Sequence, residues 1–181
     1  MKQQFKKKTM PELQRLSNED AQQQYRFPLI IVLDNVRSMN NVGSVFRTAD
    51  SFGLQEIIIC GFTPQPPHRE IHKTALGATE TVKWSYYENV TDALERLKQE
   101  SYIILAAEQT HNSVSLETVD YDTHQKKALI FGNEVVGVSD EALTYCDKVI
   151  EIPQFGAKHS LNISVSVGIV CWELVRSFQE K

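Results

Sequence analysis

The sequence predicts an α/β domain built on a parallel sheet, and two observations carry that expectation. Apolar runs recur at 29–33 (LIIVL), within 56–61 (EIIICG), and at 102–107 (YIILAA) and 128–131 (ALIF). A strand apolar at every position is covered on both faces, as in parallel sheets flanked by helices. Between these runs lie stretches with apolar residues at helical spacing, the alternation expected of βα units.

The chain opens with Lys2, Lys6, Lys7 and Lys8 and a polar amphipathic stretch, so residues 1–27 read as a basic arm with a short surface helix. Lys6, Lys7 and Lys8 are candidate phosphate contacts. Residues 28–181 form a single domain. Its first strand follows Pro28 and closes at Asp34 and Asn35. Val42, Val45, Phe46, Ala49 and Phe52 then trace a helix, with Asn40 or Asn41 as N-cap and Gly53 as its stop. Gly43 in the first turn weakens that helix by up to about 1 kcal/mol, so something must approach the backbone there, and an anion is the expectation.

After the second strand comes a polar loop, 62–73 (FTPQPPHREIHK). His68 and His72 are four apart, but no third ligand accompanies them and the string is not HExxH, so no metal is expected. His68, Arg69, His72 and Lys73 read instead as a patch for phosphates. A strand at 82–86, a charged helix at 91–100, a connection at 114–127, a short helix from Ser139 and a last strand at 149–152 complete the alternation.

The C-terminal stretch 151–178 changes character midway. Gly156 allows a sharp bend, Ser160 is a suitable N-cap, and a helix follows with two apolar stripes. Leu161, Val165, Gly168, Trp172 and Val175 form one; Ile163, Val167, Val170, Leu174 and Phe178 form the other. One stripe can pack on the chain's own sheet and the other most economically on a second copy, which predicts a homodimer. Asn162, Ser164, Ser166, Gly168 and Glu173 argue against a membrane span.

A chain of 181 residues, 41% hydrophobic, suits one core, and its net charge of −4 means that any anionic partner must be held by a local basic patch. Cys60, Cys146 and Cys171 show no CxxC spacing and sit in apolar company, so they read as buried hydrophobes, not nucleophiles. With no apolar segment after Met1, a reducing, cytoplasmic location is expected.

No GxGxxG follows the first strand, and no GxxxxGK[ST] or nucleophile elbow occurs. In open α/β sheets ligands sit beyond the carboxyl ends of the strands, which gathers Asn41, Glu108, Gly132, Glu134, Ile152 and Gln154 near one crevice. Three glycine-bearing strand ends remain: NNVGSVFRTADSFG at 40–53, FGNEVVG at 131–137 and IPQFGAKHSLN at 152–162.

In order and spacing these three resemble the signature motifs of the SpoU (TrmH-like) branch of the SPOUT superfamily, RNA 2′-O-ribose methyltransferases that use S-adenosylmethionine. The resemblance spans 29–172. It implies a SPOUT-type parallel sheet with helices on both faces, a C-terminal trefoil knot, and an RNA substrate drawn from tRNA or rRNA. It also implies no counterpart of the RNA-binding domain that precedes the core in some relatives.

Carried over by position, Asn41 and Arg47 match the first motif, Arg47 being the family's proposed catalytic residue. Glu134 matches the second-motif acid, and Ser160 and Asn162 the third-motif pair. The donor pocket implied by the resemblance involves Ala107, Glu108, Gly132, Asn133, Ile152, Gln154 and Leu161, with Gln154 replacing a common Met. Methyl transfer to a ribose oxygen is an in-line displacement in which positioning can supply about 7 to 11 kcal/mol of the barrier. A guanidinium stays protonated up to about pH 12, so Arg47 is expected to clamp a phosphate and steady the developing alkoxide, with Glu134 orienting Arg47 or an Asn side chain. The alternative of another class is a catalytically silent RNA-binding module of the same fold.

Overall fold

Each central strand is buried on both faces because its side chains alternate between two cores. In β1 (Phe27–Asp34) Leu29, Ile31 and Leu33 join one apolar cluster, while Ile30 and Val32 join the other. The computed structural model describes residues 5–9, 12, 20, 24, 26–119, 125–158 and 160–179. The surface helix expected within 1–27 lies largely outside the described residues.

The remaining strands are β2 (Leu54–Cys60), β3 (Trp84–Tyr87), β4 (Ile103–Ala107), β5 (Val114–Ser115), β6 (Lys127–Phe131) and β7 (Lys148–Glu151). They form a seven-stranded sheet in the order β3-β2-β1-β6-β4-β7-β5, every pairing parallel. One face carries α1 (Met39–Ser51), α2 (Arg69–Ala75), α3 (Ala78–Thr81) and α6 (Ile163–Gln179). The other carries α4 (Val90–Gln99) and α5 (Asp140–Leu143). The predicted α/β class with helices on both faces is therefore observed.

Several local expectations are corrected. α1 begins at Met39 and is capped by Ser38, whose hydroxyl accepts from Asn41 N at 3.3 Å, so Asn40 and Asn41 lie inside the first turn. α6 begins at Ile163, and Asn162, not Ser160, caps it by accepting from Ser164 N at 2.9 Å. The 62–73 segment is not all loop, because its second half starts α2, and the 114–127 connection contains β5 and a 3-10 turn at Leu116–Thr118. The third strand begins two residues later than expected, after α3.

The neighbour that Gly43 accommodates is α2, not an anion. A Cβ there would stand 2.1 Å from Thr74 Oγ1 and 2.3 Å from the Ile71 carbonyl oxygen. The missing side chain lets two helices touch, and Thr74 Oγ1 donates to the Asn40 carbonyl at 3.0 Å across that contact.

The two stripes of α6 separate as their spacing requires. Ile163, Val167, Val170 and Leu174 are buried, and the Phe178 ring stacks on Phe27 at 5.6 Å. On the other stripe Val165 is 48% and Trp172 59% exposed, although Val175 turns inward. Among the described residues no helix is long and apolar enough to cross a membrane.

Glu56 shows the cost of placing an acid in such a sheet. Its fully buried carboxylate meets Arg96 at 3.0 Å, Lys83 at 3.2 Å and Ser85 Oγ at 2.7 Å. Burial opposes its charge, but these partners outweigh burial and hold it below the usual carboxylate range. Arg96→Ala strands that charge and is expected to lower unfolding free energy by about 3 kcal/mol in urea titration, Lys83 and Ser85 limiting the loss. A cost near zero would show the pair to be dispensable.

Candidate active site

The site is assembled by turns at the carboxyl edge of the sheet. Asp34, buried at the end of β1, accepts from Ser139 N at 2.9 Å and from the Asn35 side chain at 2.9 Å. Asn35 adopts φ 56°, a left-handed conformation tolerated by Asn, and its carbonyl receives Asn133 Nδ2 at 2.8 Å. The turns after β1 and β6 are thereby tied together.

The turn after β6 is closed by reciprocal backbone bonds between Asn133 and Gly137, both 2.9 Å. Asn133 Oδ1 accepts from Val135 N at 2.8 Å and Val136 N at 3.2 Å, so this side chain folds the turn. A Cβ on Gly132 would lie 2.1 Å from the Gly137 carbonyl carbon, which explains the glycine at that position. Gly137 has φ 76° and faces Glu108, whose carboxylate accepts from Val138 N at 3.0 Å and Gln109 N at 2.8 Å. β4 and β6 thus end in a common clamp.

This turn projects Glu134 toward the start of α1. Its carboxylate accepts from Arg37 N at 2.9 Å, Ser38 N at 3.1 Å and Asn41 Nδ2 at 2.9 Å. Burial works against the charge, but the amides of Arg37, Asn41, Ser38 and its own backbone prevail and hold the carboxyl below its usual range. Asn41 Oδ1 in turn accepts from Asn162 Nδ2 at 3.3 Å, and Asn162 Oδ1 caps α6 and accepts from Ser164 Oγ at 2.6 Å. One chain of hydrogen bonds, Glu134 to Asn41 to Asn162, joins all three glycine-bearing segments.

Beside this chain lies a cavity of about 420 Å³, within the range of small-molecule sites. Ala107 and Glu108 line it from β4, Gly132 and Asn133 from the turn after β6, Ile152 and Gln154 from the exit of β7, and Leu161 from the approach to α6. Glu134, Ser160 and Asn162 also reach it. Every residue expected around the donor is therefore at one cavity. Glu108, Glu134 and Glu151 contribute carboxylates, which suit a ligand bearing a sulfonium and an ammonium, and the bare backbone of Gly132 leaves room for close approach.

Arg47 is elsewhere. It lies on α1, exposed, its side chain bonded to no described residue, and it does not line the cavity of its own chain. Of the two partners expected for Glu134, Arg47 or an Asn side chain, it holds the Asn, Asn41, within its own chain.

His68, Arg69, His72 and Lys73 gather on and before α2, all exposed, and Lys73 contacts Glu70 at 3.8 Å. His68 Nδ1 accepts from Glu70 N at 3.2 Å and caps α2. Lys6, Lys7 and Lys8 are exposed. Among the described residues no group of three His, Cys, Asp or Glu side chains could hold a metal.

Sequence reasoning missed Asn35, Ser38 and the backbone amides of Arg37 and Ser38 that cradle Glu134. A strand ending in Asp-Asn was the available signal for Asn35. No nucleophile emerges: burial raises Cys171, and pushes Cys60 up to about 12 and Cys146 up to about 11, with Asp34 and Asp147 reinforcing the last two respectively.

Fold and site together define an α/β protein with a polar pocket at the carboxyl ends of its strands, built from three loops and not from a dinucleotide fingerprint. The chain belongs to the SpoU rRNA methylase family, whose model matches residues 28–172. It is 33% identical over 159 residues to the tRNA (guanosine(18)-2′-O)-methyltransferase of Aquifex aeolicus, covering 84% of this chain and 71% of that one. It is 30% identical over 149 residues to the 23S rRNA (guanosine-2′-O-)-methyltransferase RlmB of Neisseria meningitidis, covering 82% and 58% respectively. The AdoMet-bound rRNA methyltransferase from Sinorhizobium meliloti superposes with a TM-score of 0.78 at 29% identity, over 91% of this chain and 62% of that chain. The chain thus spans between 58% and 71% of the length of these relatives.

Proposed function

We propose that the protein transfers the methyl group of S-adenosylmethionine to a ribose 2′-hydroxyl of a tRNA or rRNA. The observation that carries this reading is the Glu134–Asn41–Asn162 chain, which ties three segments together beside the cavity that Glu134 and Asn162 line. The bound cofactor supplies an electrophilic methyl group on a sulfonium. Gly132, Ile152 and Leu161 hold it largely through backbone groups, Asn41 and Asn162 position the acceptor ribose, and Ser160 assists from the same loop. Arg47 grips the adjacent phosphate and steadies charge on the oxygen as the proton leaves to that phosphate or to water. Lys6, Lys7, Lys8 and the α2 patch supply further phosphate contacts.

The active unit in this reading is a cytoplasmic homodimer, with residues 28–181 as one domain whose C-terminal segment is knotted. The exposed face of α6 supports the dimer: Val165, Ile169 and Trp172 are outward, and the Trp172 ring lies 6.0 Å from Phe52 beside α1. An apolar stripe beside the helix that bears Arg47 lets a second copy present that arginine to a cavity its own chain does not serve. Trp172→Glu is expected to shift sedimentation from dimer to monomer and to abolish methylation, and a dimer that survives it would remove this face from the interface.

Mass-spectrometric mapping of 2′-O-methylated nucleotides in RNA from cells lacking the protein tests the reaction. One or a few nucleotides should lose their methyl group, and an unchanged map would reject the reading.

A further inference from the structure

Phe155 is 95% exposed, although it follows Gln154, which lines the cavity, by one residue. Its ring does not line the cavity, so it is not a wall of the donor pocket. It stands on the irregular stretch between β7 and α6, whose two ends, Gln154 and Ser160, both face the cavity. The turn after β6, whose Val135 lines the same cavity, shows Val135 and Val136, each more than seven-tenths exposed. Glu134 and Asn162 give the cavity polar groups, while Phe155, Val135 and Val136 are exposed apolar side chains on two of the segments that form it.

Resting on the methyltransferase reading above, we propose that Phe155 is a substrate-positioning residue that stacks on the base of an unpaired nucleotide at the site of methylation. The polar groups of the cavity suit a ribose and its hydroxyl, and an exposed aromatic ring one residue from the cavity lining suits the face of the base attached to it. RNA is read in this way where bases are splayed out of the helix and laid on aromatic rings. Stacking tolerates any base, so Phe155 selects an accessible nucleotide over a paired one and leaves its identity to other contacts.

The test uses the full chain and its Phe155→Ala, Phe155→Leu and Phe155→Trp variants, with total RNA from cells lacking the protein as acceptor. Phe155→Ala and Phe155→Leu should lower kcat/KM for RNA about 5- to 150-fold, with donor affinity by calorimetry unchanged, and Phe155→Trp should restore it. Fluorescence of the Phe155→Trp chain above that of Trp84 and Trp172 should be quenched by the same RNA. An Ala variant with unaltered kcat/KM, or a Trp probe that RNA does not quench, overturns the proposal. So does a variant that sediments as a monomer or loses the donor, since the ring would then belong to a subunit contact or to the pocket. Donor binding and RNA quenching without methyl incorporation by the parent chain would instead reject the methyltransferase reading and leave the stacking intact.

Discussion

Arg47→Ala should lower kcat for RNA methylation about 10²- to 10³-fold while leaving the fold and the affinity for S-adenosylmethionine unchanged. The donor half of that expectation follows from its role, because Arg47 lines no part of the cavity in its own chain and is assigned to the RNA phosphate, not to the donor. The catalytic half follows from charge: an exposed guanidinium with no partner among the described residues is free to meet a phosphate. Complementation separates action within one chain from action across a dimer. When Arg47→Ala and Glu134→Ala chains are mixed, half the dimers are mixed, and each holds one site with both groups intact if Arg47 serves the partner. Activity should then recover to about a quarter of the parent's. No recovery would place Arg47 at its own chain's site or remove it from catalysis, and full activity of Arg47→Ala alone would dismiss the arginine altogether.

Glu134→Gln should lower kcat by about 10²-fold and destabilise the chain by about 1 kcal/mol, with partial exposure of the carboxylate limiting the loss. Three donors converge on Glu134, from Arg37, Ser38 and Asn41, and a Gln side chain must turn its own NH2 toward one of them. Turned toward Arg37 N, that NH2 unseats the cradle of residue 134, and turned toward Ser38 N and Asn41 Nδ2 it removes the bond that fixes Asn41 toward Asn162. Because the folded carboxyl is held below its unfolded value of about 4.5, its stabilisation is present above that pH and fades as pH falls through the folded value. The difference in unfolding free energy between parent and Glu134→Gln should therefore be constant from pH 6 to 8, and shrink below about pH 4.5. A difference independent of pH down to 3 would mean the carboxylate is not held by its charge.

The strands were legible because burial on both faces demands unbroken apolar runs, as at 29–33 and 128–131. The C-terminal helix was legible in its two stripes, since 3.6-residue periodicity shows in sequence whatever the stripes touch. Its first residue was not. Ser160 and Asn162 are both good caps, and only the loop's exit from β7 and the bond to Asn41 select Asn162. Gly43 is the same lesson in steric form: the sequence shows that something comes close, and only the packing of α2 shows that a helix does.

By itself, then, the sequence determined the α/β class, six of the seven strands and many of the residues that line the cavity, because each is written in local pattern or in motifs close to strand ends. Tertiary structure alone decided that Glu134 holds Asn41 within its own chain, and that Arg47 does not line the cavity of that chain. Those facts depend on parallel crossovers that bring residues 93 and 121 positions apart within hydrogen-bonding distance, and no local periodicity encodes a contact of that span.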